Sequence, residues 1–378
     1  MSEMTSRERI LAALERRPTD RTPIDFGGGI ATTIYFTAYE RLRKHLGITT
    51  EPGTAVARSR TVIPDDAILE RFNVDTRFLG LGAYQGGVGK RIDDDHFMDE
   101  WGTTWEKRDT HPYINVDGPF YNKTPDMADL EAHDWPDADN PGYYEGLRER
   151  AQKLHDTGCA VMLNLPVGVV HACQFVRGYG DWLMDLHRHP EYTARMMDII
   201  ADHWVKVAHN ALDEVGDLVD LVFFGDDMAT QQATLFSPDI YRKLVKPRHA
   251  RMFGAVKDRG AKLTYHCCGS VEALFEDLIE MGIDAFNPVQ VAAKNMEPAG
   301  LKQKYGDRLT FWGGIDTQHV LPFGTPDEVR ENVRHIIDTL GAGGGYVLNA
   351  VHNIQPDVPP ENVVAMFEEA ASYRGAAN

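Results

Sequence analysis

The run Lys262-Leu-Thr-Tyr-His266-Cys267-Cys268-Gly269 closes a β-prone stretch with a His and a Cys two positions apart. Side chains alternate faces along a strand, so His266 and Cys268 share one side and Cys267 takes the other. Gly269 permits a sharp turn that lets both aim at one point. A neutral imidazole and a thiolate are good zinc ligands. A His-x-Cys pair alone equally suits a buried thiol beside a hydrogen-bonded His. His352, past the end of another β-prone run, adds a third donor. His266, Cys268 and His352 together would make a metal site with a fourth position open for substrate or water. Cys267 reads as packing.

Polar side chains follow other β-prone runs as well. Asp226 and Asp227 follow Phe224, Asn287 and Gln290 follow Phe286, and Gln355 lies beyond Asn349. Asn287, Gln290 and Gln355 read as substrate contacts. Neighbours on a strand face opposite ways, so Asp226 and Asp227 should not both reach one point. One of them could serve as a base, as partner of a ligating His, or as a substrate contact. The competing reading is that both cap the following turn. We take Asp227 as the acid/base group and Asp226 as a substrate contact. Trp101 and Trp105 could line an aromatic substrate or cofactor, or equally anchor a lid or an oligomer contact. His171, His249 and His319 lack partners in sequence and read as solvated or hydrogen-bonded. Cys159 and Cys173 read as structural.

The elements that must position these groups repeat along the chain. β-prone runs fall at Thr22–Phe26, Arg77–Leu81, Ala160–Leu165, Asp220–Phe224, Lys262–His266, Asp284–Asn287, Leu309–Trp312 and Tyr346–Asn349. Between many of them apolar residues recur at helical spacing, as in Val329, Val333, Ile336, Ile337 and Leu340. The runs are apolar almost throughout, as in strands covered on both faces. Eight strand–helix repeats predict an α/β fold, the (β/α)8 TIM barrel, as one domain over residues 1–378. A barrel needs only ~250 residues, so insertions are expected. The main one is Ala83–Tyr144, after the second strand, with a β-hairpin over Phe97–Glu106 turning near Gly102. A doubly wound sheet is weaker, because Gly27-Gly28-Gly29 lacks the spacing of a dinucleotide fingerprint.

Composition narrows the function further. The 378 residues carry a formal net charge of −18. That disfavours nucleic acid or an anionic membrane as partner, since phosphate contacts need clustered Lys and Arg. Four Cys are too few for a disulfide scaffold, and a reducing cytoplasm fits. The opening residues have no signal-peptide core, and no apolar run nears the ~20 residues of a membrane span.

Several ordered segments resemble the uroporphyrinogen decarboxylase superfamily. They include Thr5 to Glu15 with Asp20-Arg21-Thr22-Pro23, and Ser237 to Tyr241 with Lys246-Pro247-Arg248. Others are His266 to Ser270, Gly282 to Gln290, Gly344 to Asn349, and His352 to Asn362. The resemblance implies a (β/α)8 barrel. One branch decarboxylates tetrapyrroles, using an N-terminal Arg-Gln-Ala-Gly-Arg motif and an Asp at an early strand end. Here Gly27-Gly28-Gly29 follows the first strand with no arginine, and no Asp ends Arg77–Leu81. The other branch comprises zinc-dependent methyltransferases that work with corrinoid proteins. Their His-x-Cys and distant Cys are matched by His266, Cys268 and, in the third place, His352. The resemblance thus implies Zn2+ and a corrinoid carried on a partner protein, since no Asp-x-His-x-x-Gly segment occurs here. It implies methyl transfer between a small methylated or methoxylated compound and the corrinoid. One thiolate and two neutral imidazoles would leave zinc more electrophilic than a two-thiolate site, which favours the demethylating direction. The alternative is a metal-independent decarboxylase using Asp227 and His352. A homodimer is the default assembly.

Overall fold

The computed structural model describes residues 3–108, 112–165 and 168–375. Seven parallel strands form one curled sheet in consecutive order. They are β1 (Thr76–Gly80), β2 (Ala160–Asn164), β3 (Leu221–Gly225), β4 (Lys262–His266), β5 (Ala285–Asn287), β6 (Thr310–Trp312) and β7 (Tyr346–Val347). Residues 23–25 take the eighth place. Leu348 N–H donates to Pro23 O, Asp25 N–H to Leu348 O, and Asp75 N–H to Ile24 O, closing the ring between β7 and β1. The first expected strand shrinks to this bridge because Pro23 has no N–H to offer and the glycines that follow turn the chain away. The other seven lie where the apolar runs predict them, within a residue or two at each end.

Every residue of β2 is buried, as expected for a strand with helices outside and side chains inside. The barrel interior is filled by Met162, Leu221, Phe223, Ala285, Trp312 and Val347. Its N-terminal end is plugged by the helix Ser6–Leu14, whose Ile10, Ala13 and Leu14 join that cluster. A Thr5/Glu8 capping box starts this helix. Arg9 fastens it through ion pairs at 2.7 Å to Asp20 and to Asp75. With that end sealed, the open mouth lies at the C-terminal ends of the strands, where barrel chemistry takes place.

Between β1 and β2 the chain builds a four-stranded antiparallel meander, Lys90–Arg91, His96–Met98, Thr104–Glu106 and Ile114–Asp117. The predicted hairpin is its central pair, and Gly102 turns it with φ +77°. A second small sheet, Ile34–Tyr35, Thr54–Val56 and Thr61–Ile63, precedes β1 and was not legible as strands. Its segments are short and carry exposed Thr54 and Ala55. No helix among the described residues is long and apolar enough to cross a membrane.

Candidate metal centre

β4 delivers His266 at its last position, and the chain then turns through Gly269 at φ +94°. A side chain at Gly269 would run into the Thr230 carbonyl at 2.6 Å, so the turn demands glycine. The turn brings Cys268 back toward His266, with Sγ 3.5 Å from Nε2. His352 comes from the segment after β7, and its ring centroid lies 5.5 Å from that of His266. Donor atoms of His266, Cys268 and His352 all lie within 4.8 Å of one another. Cys267 points the other way, is fully buried, and takes the Met228 N–H on its sulfur.

The His266 ring is held by Asn287 of β5, whose Oδ1 is 2.6 Å from Nδ1. That bond puts the proton on Nδ1 and leaves the Nε2 lone pair facing Cys268. The His352 ring makes no hydrogen bond among the described residues. Burial pushes His352 down to about 4, and neighbouring His266 adds to the shift. Burial lowers His266 as well. Both rings are therefore neutral near pH 7, the form that binds metals. Burial, reinforced by the Asp227 carboxylate, pushes the Cys268 thiol well up. A bound cation reverses that preference and makes the thiolate. Zinc bonds of about 2.0–2.3 Å in a tetrahedron need donors about 3.3–3.8 Å apart. His266 Nε2 and Cys268 Sγ already stand at such a spacing, so these residues fit zinc.

Asp227 borders the cluster. Its Oδ1 accepts the Cys268 N–H at 2.8 Å and lies 3.8 Å from His266 Nε2. Its Oδ2 lies 3.7 Å from Nε2 of His171. With 39% of its side chain exposed, Asp227 is the acid at this strand end that can meet a ligand. His171, read from sequence as partnerless, sits between the two acids. Its Nδ1 is 3.4 Å from Asp226 Oδ1 and accepts the Asp227 N–H at 3.4 Å.

Four of the expected substrate contacts are engaged by bonds within the fold. Asp226 is fully buried and accepts from Val170 N–H, His171 N–H and His249 Nε2, so it pins the start of a helix and the His249 ring. Asn287 is fully buried behind His266. Gln290 uses Oε1 to hold Gly269 N–H at 2.6 Å and so fixes the turn after Cys268. Trp105 is buried and donates its indole N–H to Asp99 Oδ2. Gln355 is half-buried and donates to the Asn353 carbonyl at 2.8 Å. Trp101 does line a cavity of about 960 Å³ at the barrel mouth. The cavity wall also includes Asn164 and Phe175, and the Phe175 ring stacks on His171 at 5.7 Å. Phe175, His171 and Asp227 thus lead from the cavity to the cluster.

The model of one protein family, described as uroporphyrinogen decarboxylase (URO-D), matches residues 112–373. A uroporphyrinogen decarboxylase from Syntrophotalea carbinolica is 27% identical over 208 residues, covering 52% of this chain and 55% of that protein. The methylcobamide:CoM methyltransferase MtaA of Methanosarcina barkeri is 27% identical over 164 residues, 43% of this chain and 44% of that protein. The chain spans about half the length, or less, of the curated relatives it matches. Among solved structures, a methyltransferase from Methanosarcina mazei shares the fold with a TM-score of 0.66 at 16% identity, covering 98% of this chain and 99% of that one.

Proposed function

The chain belongs to the uroporphyrinogen decarboxylase family, and from that premise we propose that it is a zinc-dependent methyltransferase. It moves a methyl group from a small methylated or methoxylated compound to a corrinoid on a partner protein. The observation that carries this reading is the convergence of His266, Cys268 and His352 within 4.8 Å at the barrel mouth. The matrix of relatives adds a methylcobamide methyltransferase. Zinc held by the Cys268 thiolate and the neutral His266 and His352 rings would keep a net positive charge and would supply a Lewis acid for the heteroatom that bears the methyl group. That charge favours demethylation over transfer to a thiol. Asn287 fixes the tautomer of His266, and Gln290 fixes the turn that aims Cys268. The released heteroatom must take up a proton, and we assign its delivery to Asp227, which draws it from His171 Nε2, 3.7 Å from Asp227 Oδ2.

Metal analysis of the purified protein tests the reading. We expect one zinc per chain, lost in Cys268→Ala and His266→Ala. We expect methyl transfer that stops on chelation and returns with zinc. Active protein without zinc, indifferent to both substitutions, rules the mechanism out. A second reading, metal-free decarboxylation, draws on the half-exposed Asp227 carboxylate beside a neutral His352. Carbon dioxide release that survives chelation and is lost in Asp227→Asn would select it.

A further inference from the structure

Several parts of the chain wall the cavity at the barrel mouth, Phe175 of the helix Val169–Arg177 among them. The strand ends give Phe78 and Asn164. The insertion gives Phe97 and Trp101. The turn between Thr54–Val56 and Thr61–Ile63 gives Arg58. An aromatic surface of this kind suits a flat, apolar ligand.

Three charged residues line the same cavity: Arg58, Asp99 and Glu100. Asp99 is already committed. Its Oδ1 accepts the Trp101 and Thr103 N–H groups, and its Oδ2 accepts the Trp105 indole. Arg58 is not. Its guanidinium lies over the Trp105 ring, 4.7 Å from the centroid, and 5.8 Å from the Phe175 ring. Its carbonyl takes the Tyr113 N–H, which ties its backbone to the inserted sheet. Among the described residues its side chain makes no hydrogen bond and no ion pair. Asp99 and Glu100 lie close enough to act on its charge. Yet among the described residues no carboxylate pairs with it directly, which stands out in a chain with 57 acidic against 39 basic residues. Arg177, Arg248 and Arg259, for example, each hold an Asp. With its guanidinium carbon over the indole and no hydrogen bond on its nitrogens among the described residues, Arg58 keeps donors that can grip a carboxylate through two parallel bonds. Glu100 does not cancel it, because burial raises its carboxyl toward the neutral acid.

We propose that this cavity binds a small aromatic carboxylate, its ring among Phe78, Trp101 and Phe175 and its carboxylate on the Arg58 guanidinium. Its role as methyl donor, a methoxylated aromatic acid, rests on the methyl-transfer reading above; its binding does not. Arg58 is then a specificity-determining residue. It lies beside Phe175, the cavity end of the Phe175–His171–Asp227 path.

Calorimetric titration of the full chain with 3-methoxybenzoate, without any corrinoid protein, tests the proposal. Methoxybenzene serves as the uncharged probe and tetramethylammonium as the cationic one. We expect 3-methoxybenzoate to bind, Arg58→Gln to weaken it at least about tenfold, and Arg58→Lys to weaken it less. Methoxybenzene affinity should be the same in all three proteins, which also reports an intact cavity. Three results overturn the proposal: equal binding of 3-methoxybenzoate by wild type and Arg58→Gln, no binding by wild type, or tighter binding of tetramethylammonium. The same titration on chelator-treated protein separates the two ideas. Carboxylate binding that persists in a chain that never takes up zinc sinks the methyl-transfer reading and keeps the site. Stoichiometric zinc with no carboxylate binding does the reverse.

Discussion

Asn287 decides how well His266 can hold a metal. Its Oδ1 fixes the ring from behind, while its Nδ2 is buried with no partner among the described residues. Replacing it by Ala removes one hydrogen bond and one unsatisfied donor, so stability should fall by only about 1 kcal/mol. Zinc affinity should fall about 10–100-fold, because the ring loses its tautomer and orientation. Chelator competition against denaturant unfolding measures both; equal losses in the two would show that Asn287 merely packs. The ligand pair itself is legible in the sequence, because strand alternation puts His266 and Cys268 on one face and Cys267 on the other. The same alternation separates Asp226 from Asp227. It cannot say which of the two faces the site. That follows from Val170, His171 and His249, which converge on Asp226 only after folding. Asn287 is similar: its position at a strand end is visible, but its bond to His266 on the next strand is not.

The helix Val169–Arg177 shows how an element is placed by a residue remote in sequence. A helix start is usually capped by its own N-cap side chain. Here that position is Gly168, and the acceptor is Asp226 from the end of β3, bonding Val170 and His171 N–H at 3.0 and 2.8 Å. A Cβ at Gly168 would lie 2.3 Å from Asp226 Oδ2. Gly168→Ala therefore forces the helix and the carboxylate apart, and overpacking of this kind costs about 1–3 kcal/mol. The shift also pulls His171 from Asp227, so proton-dependent steps should suffer beyond the stability loss. Denaturant unfolding measures the first. Turnover below the unfolding transition measures the second, and unchanged turnover would detach His171 from the chemistry. Seven barrel strands are legible because a run buried on both faces is apolar without alternation, whatever its neighbours. The first is legible in place, at Thr22–Phe26, but not in extent, since it forms only a bridge through Ile24. The sheet that carries Arg58 escapes for a related reason: its short, partly exposed strands are held by contacts with the insertion, which local periodicity does not register.

At the scale of the whole molecule, the insertion rests on the barrel through the long helix Pro190–Val215, and His203 is the joint. It is buried against Trp101 and Trp204, with ring centroids at 4.8 and 4.6 Å. Its Nδ1 donates to the Pro136 carbonyl at 3.0 Å, and its Nε2 is buried without a partner. Burial drives its pKa from 6.5 down to about 4. An unfolded His takes up its proton near 6.5 and the folded one only near 4, so between these values the unfolded chain binds more protons. Stability from this group is then complete above pH 6.5, declines as pH falls toward 4, and levels off below it. The full loss is up to about 3 kcal/mol. His203→Gln keeps a donor for Pro136 and cannot titrate. Its stability should start lower at pH 7, and its pH curve between 6.5 and 4 should be flatter than that of the wild type by that amount. Parallel curves would mean that another group carries the acid sensitivity. Because Trp101 also lines the cavity, charging His203 should loosen the wall before the barrel melts. Amide exchange over Lys90–Asp117 should accelerate at pH 5 while β2 and β3 stay protected, and should do so less in His203→Gln.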